Sequence, residues 1–511
     1  MTLGLTCYGG VKEIGGNKIL LEEGRVRLWL DFGTPFARHK QYFNEYLNPR
    51  PARGLWDLVA LGLLPLLRGL YRQDLEPEEL WERFPPARDV DPSEGPVFVL
   101  LTHAHLDHLG DAALLNAEIP IVATPESGVI ARVMQITGQG GFLQEWSYCN
   151  ERVPEKAGLL KAQGPRQPYR NRPFYLLDEV GQELVQWWQQ LPASRGVEGE
   201  PPQPFPGRVG HLVVHRWPVD HSIPGAAAYV IETSAGPVAY TGDLRFHGRL
   251  GEATRKVAEA WARMDLAVLL CEGTRLGDSS PPVGEDEVRE NALDLTRAAA
   301  GRLVVADFAA RNLERLQTFL EVARETGRRL LVQPKDAYLL EALALVSPGF
   351  RHAVADEDHL GVYDDVKSQP RRWEQDVRER WQKRLLGPKA VARNPGDYIL
   401  CCSLWDMNDL LDLPRESLAG GVYLYANSKA YDEEQAVDLE RLRQWVKHLG
   451  LRLEGDPEDA EAKRLHASGH APEEELVEFV REVQPRRLVP VHTEHPHRWR
   501  SCKELCVGVC V

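Results

Sequence analysis

The sequence predicts an α/β protein. Short apolar runs alternate with amphipathic helical stretches along its 511 residues, as strands and helices taken in turn do. Five of those runs end in His, Asp or Glu. The composition, 43% hydrophobic and 27% charged, is that of a globular chain and excludes a disordered or collagenous one.

The elements follow in chain order. Lys18–Leu21 and Val26–Asp31 read as a pair of antiparallel strands. Residues 34–95 form an irregular insertion leaning towards helix. Its Leu- and Trp-rich stretch Leu55–Tyr71 is a helix packed on the body or, alternatively, a membrane or partner surface. The longest near-apolar stretch, Leu58–Leu67, is shorter than the about 20 residues that cross a bilayer. Residues 150–207, rich in Pro, Arg and Gln, read as a surface excursion with one helical piece at Asp178–Gln190. From residue 278 the rhythm changes: Leu303–Ala306, Leu330–Val332, Tyr398–Cys401 and Val422–Tyr425 adjoin amphipathic stretches such as Leu313–Thr326 and Glu434–Leu449. That is a small open α/β domain inserted in the chain. Its charged segment Arg371–Arg384 is a solvated helix face or a basic wall for an anionic polymer.

A net charge of −14 argues against holding nucleic acid by bulk electrostatics. Such a role would rest on local groups, namely Lys161, Arg166, Arg170, Arg172, Arg371, Arg372, Lys383 and Arg384, or on bound metal. Eight cysteines in a chain this long do not make a disulfide framework, which predicts a reducing, cytoplasmic setting. The first residues lack the basic flank and apolar core of a signal peptide. Cys502, Cys506 and Cys510 recur at the spacing of one helical face, as buried thiols or a further metal site.

The chemistry concentrates where strands end. Val97–Leu101 leads into Thr102-His103-Ala104-His105-Leu106-Asp107-His108. Residues two apart on extended backbone face the same way, so His103 and His105 can converge on one ion while Asp107 and His108 turn towards a second. Imidazole with carboxylate suits zinc. Val213–Pro218 leads to Asp220-His221, Pro237–Tyr240 to Asp243, Ala267–Cys271 to Glu272, and Leu488–Val491 to His492. Strand ends meeting on one sheet edge are where such sites are built.

These residues resemble a known family. HAHLDH is similar to the His-x-His-x-Asp-His signature of the metallo-β-lactamase fold, and His221 and Asp243 match its next ligand motifs. Cys271–Thr274, Ser468–Ala471 and Val489–His492 resemble the three motifs of the β-CASP branch, and Gly9–Asn17 with Asp31-x-Gly33 resembles the RNase J group. The fold implied is a metallo-β-lactamase αββα sandwich from residues 1–277 and 456–511, with an inserted β-CASP α/β domain at 278–455. The resemblance implies two Zn2+ per chain, with Mn2+ as the alternative ion. His103, His105 and His221 would hold one, Asp107, His108 and His492 the other, and Asp243 would bridge them. The chemistry implied is hydrolysis of phosphodiester bonds by water activated between two metals.

Asp107, Asp243, Glu272 and His470 are the catalytic candidates. His470 would stand beside the scissile phosphate, and Glu272 would orient a ligand histidine. His466, Ser468, Gly469 and His470 would bind substrate phosphate. Histidine rather than valine at position 492 favours RNA over DNA. The implied partner is single-stranded RNA, with no membrane and with a homodimer left open, as are endonuclease and 5′-exonuclease modes. The rival readings are a hydrolase of a small ester or thioester, a DNA-acting β-CASP nuclease, and a nucleic-acid-binding subunit whose metal site is unused. RNase J continues into a C-terminal domain beyond its third motif, whereas the sequence given runs from His492 only to Val511, so that group's oligomerisation is not carried over. His211, His215, His247, His495 and His497 read as structural.

Overall fold

The computed structural model describes residues 2–44, 46–193, 195–278, 280–430 and 432–502. Cys506 and Cys510 lie outside the described residues.

Two sheets stack face to face. The first has seven strands in the order Leu3–Gly9, Lys18–Glu23, Val26–Leu30, Val97–Leu100, Ile121–Ala123, Phe174–Leu176 and Gln203–Pro204. The second has six: Arg208–Val209, Leu212–Pro218, Ala227–Glu232, Val238–Tyr240, Val268–Cys271 and Leu488–Pro490. Alternation along each strand sorts its side chains between two cores. Ile19, Leu21, Leu28 and Leu100 of the first sheet bury against Leu212, Tyr229, Ile231 and Leu270 of the second. The opposite faces carry helices. Val129, Ile130 and Val133 of helix Pro125–Thr137 join Trp29, Val99 and Leu101. Val257 and Trp261 of Gly251–Trp261, with Leu476 and Phe479 of Glu473–Val483, cover Val230 and Leu269. The result is an αββα sandwich.

A third sheet is made entirely between Cys271 and Leu488. Its seven parallel strands run Leu385–Leu386, Leu360–Tyr363, Arg329–Val332, Tyr398–Cys401, Val304–Asp307, Val422–Tyr425 and Arg452–Glu454. Helices Leu313–Thr326, Pro334–Ala344 and Glu433–Leu449 pack on it, the arrangement of an open α/β layer.

Three expectations change. Leu55–Tyr71 is not one helix: it is helical only at Trp56–Ala60, then turns at Gly62, whose φ is +68°, and at Pro65. Its leucines are buried in the core, not presented to a membrane or partner. Residues 150–207 are not merely a surface excursion, because Phe174–Leu176 and Gln203–Pro204 extend the first sheet and Trp188 is fully buried. Several proposed basic contacts are spent inside the protein. Arg172 is buried and donates to the carbonyls of Leu115 and Asn116, while Arg170 pairs with Glu118 and Glu151. Arg384 stacks on Trp381, and Arg371 donates to the carbonyls of Thr137 and Gly138. Among the described residues no helix is long and apolar enough to cross a membrane.

Candidate metal centre

Strand Val97–Leu100 stops at Leu101, and a short helix, Leu106–Leu109, takes over after His105. This bend puts four donor residues at the edge of the first sheet. The glycine-rich opening segment holds it from outside. Gly16 and Asn17 N–H donate to the Asp107 carbonyl at 2.9 and 3.2 Å, and Phe32 N–H donates to that of His108 at 2.8 Å. Gly33 lies so close that a Cβ there would fall 1.6 Å from the Asp107 carbonyl oxygen. That explains glycine at this position.

From the second sheet come His221 after Leu212–Pro218, Asp243 after Val238–Tyr240, Glu272 after Val268–Cys271 and His492 after Leu488–Pro490. Backbone strain accompanies this convergence: Asp31 and His492 have φ of +59° and +51°.

The side chains form three overlapping groups of possible metal donors: His103, His105, His221 and Asp243; Asp107, His108, Asp243 and His492; and Asp243, Glu272 and His470. In the first, His105 Nδ1 lies 3.0 Å from His103 Nε2 and 3.1 Å from His221 Nε2. Asp243 Oδ2 lies 3.6 and 3.7 Å from the same two Nε2 atoms. In the second, His108 Nε2 is 3.1 Å from Asp243 Oδ2, and His492 Nε2 is 3.2 Å from Asp107 Oδ2. One carboxylate oxygen of Asp243 is thus common to both groups. Bonds of about 2.0–2.1 Å to a tetrahedral ion put neighbouring donors about 3.3 Å apart, so the spacing fits zinc. Asp243 Oδ1 is buried with no hydrogen-bond partner among the described residues, the mark of an oxygen made for a cation.

Partners behind the donors set their tautomers. His108 Nδ1 donates to Asp31 Oδ2 at 2.7 Å. Asp31 also receives Thr102 N–H and Oγ1–H and the Tyr240 hydroxyl. His221 Nδ1 donates to the Gly469 carbonyl at 2.5 Å. His492 Nδ1 donates to Thr274 Oγ1 at 2.8 Å, and that hydroxyl donates to Glu272 Oε2 at 2.7 Å. In each case the Nε2 lone pair is left facing the cluster. Burial and neighbouring imidazoles push His103 and His105 well below the usual histidine range, and burial pushes His221 down to about 4. These rings are neutral, as ligands must be. Burial opposes charge on Asp243, yet His108, His492 and His470 hold its carboxyl well below the usual range.

Glu272 was expected to orient a ligand histidine. It reaches His492 only through Thr274, and it holds His470 directly, with Oε2 3.1 Å from Nδ1. Burial disfavours charge on His470, but Glu272 and Asp243 raise it to about 9. Ser468 and Gly469 face the same centre with backbone oxygens already engaged. The Ser468 carbonyl accepts from Arg245 Nη1 and His247 Nε2 at 2.9 and 3.0 Å. His466 sits deeper, burial pushing it down to about 3, with its Nδ1 unpartnered among the described residues. A cleft of about 860 Å³ opens here, lined by Thr274, His466, Ser468 and His470 on one side and by Asn427–Lys429 of the parallel-sheet layer on the other.

Asp31, Thr102, Tyr240 and Thr274 were not singled out as functional from sequence. The signals were that Asp31 ends a strand, like the ligand motifs, and that Asp31 and Thr274 stand inside segments that resemble family motifs. His211 and His215 pair with Glu23 and Glu232, away from the centre.

Residues 459–498, which contain Ser468–His470 and His492, match the family described as the Zn-dependent metallo-hydrolase RNA specificity domain. The whole chain is similar to Ribonuclease J of Mycolicibacterium smegmatis, 27% identical over 97% of this chain and 69% of that one. Ribonuclease J of Mycobacterium tuberculosis is 26% identical, over 96% of this chain and 68% of that protein. A crystal structure of a protein of unknown function from Enterococcus faecalis V583 shares the fold at a TM-score of 0.67, with 19% identity, covering 100% of this chain and 98% of that one. Similarity to Ribonuclease J proteins thus runs along nearly the whole chain, on a sandwich whose strand ends converge on one cluster of metal donors, and the chain resembles the RNase J-like β-CASP members of the metallo-β-lactamase fold.

Proposed function

We propose that this protein is a two-zinc ribonuclease that hydrolyses phosphodiester bonds of single-stranded RNA, in RNA processing or decay in the cytoplasm. The observation that carries this reading is the sharing of Asp243 Oδ2 between two four-donor groups. His103, His105 and His221 would hold one ion, Asp107, His108 and His492 the other, and Asp243 both. Zinc, when bound, supplies a Lewis acid and lowers the pKa of water towards about 7.

The chain's own residues do the rest. Asp31, Thr274 and the Gly469 carbonyl keep the ligand rings in one tautomer. Glu272 takes the Nδ1 proton of His470, which leaves Nε2 to face the cleft, placed to stabilise the reacting phosphate or to protonate the leaving oxygen, a contribution typically of about 10²–10⁴-fold. Residues 278–455 act as the opposing jaw, and Ser468 and His470 line the facing wall. Cytoplasmic work fits the free thiols of Cys7, Cys149, Cys271, Cys401 and Cys402.

The test is metal analysis with RNA cleavage. Purified protein should hold close to two zinc ions and cut single-stranded RNA in preference to a chromogenic ester, and Asp243→Ala should abolish cutting. Full activity in Asp243→Ala, or turnover of the ester alone, overturns the reading.

A further inference from the structure

The turn that carries His466, Ser468 and His470 is held from behind by two arginines. Arg315, on helix Leu313–Thr326, donates through Nη1 to the Leu465 carbonyl at 2.5 Å and the Ala426 carbonyl at 2.8 Å. Arg245 donates through Nη1 to the Ser468 carbonyl at 2.9 Å. Both arginines are fully buried, and they share one carboxylate. Glu285 Oε1 lies 3.0 Å from Arg315 Nη2 and 3.5 Å from Arg245 Nη1. With backbone oxygens of the turn engaged this way, His466, Ser468 and His470 line the cleft.

Arg245 belongs to the sandwich, two residues after Asp243. Its N–H donates to the Asp220 carbonyl at 2.9 Å, and its Nε lies 3.3 Å from Asp220 Oδ1, one residue before His221. The rest of its guanidinium reaches the parallel-sheet layer. Nη2 donates to Glu314, and Nη1 faces Glu285. Glu285 opens helix Glu285–Ala298, and Glu314 lies on Leu313–Thr326. One guanidinium therefore ties together the segments after two sandwich strands, the turn at 465–470 and two helices of the parallel-sheet layer. Apolar side chains of similar volume would often fill such a space without loss of stability, because burying charges costs about what their pairing returns. Fixing separate segments in one register needs directed hydrogen bonds, which the planar fork of arginine supplies.

We infer that Arg245 is a positioning residue for the cleavage reaction: it registers the Ser468–His470 turn against the parallel-sheet layer, so that the seating of that layer sets where the His470 imidazole stands. The turn is short and tied at each step, so a shift at Ser468 is passed on. His470 N–H donates to Ser468 Oγ at 3.1 Å, and Ala471 N–H donates to the Leu244 carbonyl at 2.8 Å, next to Arg245. His247 Nε2 supports the same Ser468 carbonyl at 3.0 Å. On the far side Arg249 N–H donates to Glu314 Oε1 at 2.6 Å, so the segment after Asp243 meets that helix twice.

This inference rests on the ribonuclease reading, and its test separates the two. Single-turnover cleavage of single-stranded RNA by the full chain in excess is measured for wild type, Arg245→Lys and Glu314→Gln, each with and without His470→Ala. The temperature is one at which circular dichroism shows every variant folded. Arg245→Lys keeps the positive charge but not the fork that reaches Ser468 and Glu314 together. It should slow cleavage about 10- to 100-fold with zinc content unchanged. Once His470 is gone it should cost less than about threefold, because both changes act through one ring. Glu314→Gln, which leaves the sandwich residues in place, should show the same pattern with a smaller loss. Equal losses with and without His470, or a wild-type rate in Arg245→Lys, overturns the positioning role and leaves ribonuclease activity intact. Hydrogen exchange read by mass spectrometry needs no RNA. Both variants should speed exchange in peptides covering 465–471 and leave those covering 103–108 unchanged. Unchanged exchange at 465–471 overturns the inference whatever the activity. Faster exchange there, in a protein whose wild type cuts no RNA, supports the anchoring of the turn and removes the ribonuclease reading.

Discussion

Glu272 Oε2 lies 3.1 Å from His470 Nδ1, and both face Asp243. The same oxygen accepts from Thr274 Oγ1, which in turn receives the Nδ1 proton of His492. One buried carboxylate therefore positions the His470 imidazole, proposed to face substrate phosphate, and a candidate ligand together.

Replacing it with Glu272→Gln keeps the shape but weakens the hold on both rings. RNA cleavage should fall about 10- to 100-fold, the usual loss for a partner behind a metal ligand. Zinc counted per chain should stay near the wild-type value, because Glu272 reaches His492 only through Thr274. Loss of a whole equivalent of zinc would mean that Glu272 is a ligand itself.

Asp31 gathers four donors: Thr102 N–H, Thr102 Oγ1, Tyr240 OH and His108 Nδ1. Asp31→Asn turns an NH2 group against some of them. Zinc affinity should drop about 10- to 100-fold, read by competition with a chelator. An unchanged affinity would show that His108 is not a ligand.

Gly469 has no room for a side chain. A Cβ there would stand 2.7 Å from Ser222 Oγ and 2.9 Å from His221 Cε1. Gly469→Ala should push the His221 ring off its place, lowering kcat on RNA and lowering the melting temperature by several degrees. Overpacking of this kind generally costs about 1–3 kcal/mol locally. The control is Gly62→Ala, strained in φ but open to solvent, which should leave kcat alone.

The parallel-sheet layer carries its own pH signature. Burial lifts Asp336 to about 7, with Lys335 opposing and Asp406 adding to the rise. An acid whose folded value lies above its unfolded one, about 3.9, binds its proton more tightly when folded. The contribution of Asp336 to stability is therefore fullest below about pH 4 and is lost as pH climbs through about 7. Asp336→Asn keeps an oxygen for the Gln333 N–H and removes the charge. It should melt higher than wild type at pH 8, by about 2–4 °C per kcal/mol relieved, and show no such gain at pH 4. Equal gains at both values would refute the account.

The sequence alone determined much of this. Short apolar runs ending in His, Asp or Glu marked the strands and pointed to the ends that matter, because apolar clustering and ligand type are local properties of the chain. The run from His103 to His108 was legible as metal chemistry from spacing on one strand and turn. Tertiary structure decided what depends on distant segments meeting. Asp31 and His108 are neighbours only because their strands pair in parallel, Val26–Leu30 beside Val97–Leu100. Glu272 holds His470 rather than a ligand histidine directly because the return segment threads past the end of Val268–Cys271. Arg172 and Arg372 look alike as residue types. One is consumed by buried carbonyls and the other stays exposed beside Asp376, and only burial and the nearby partners tell them apart.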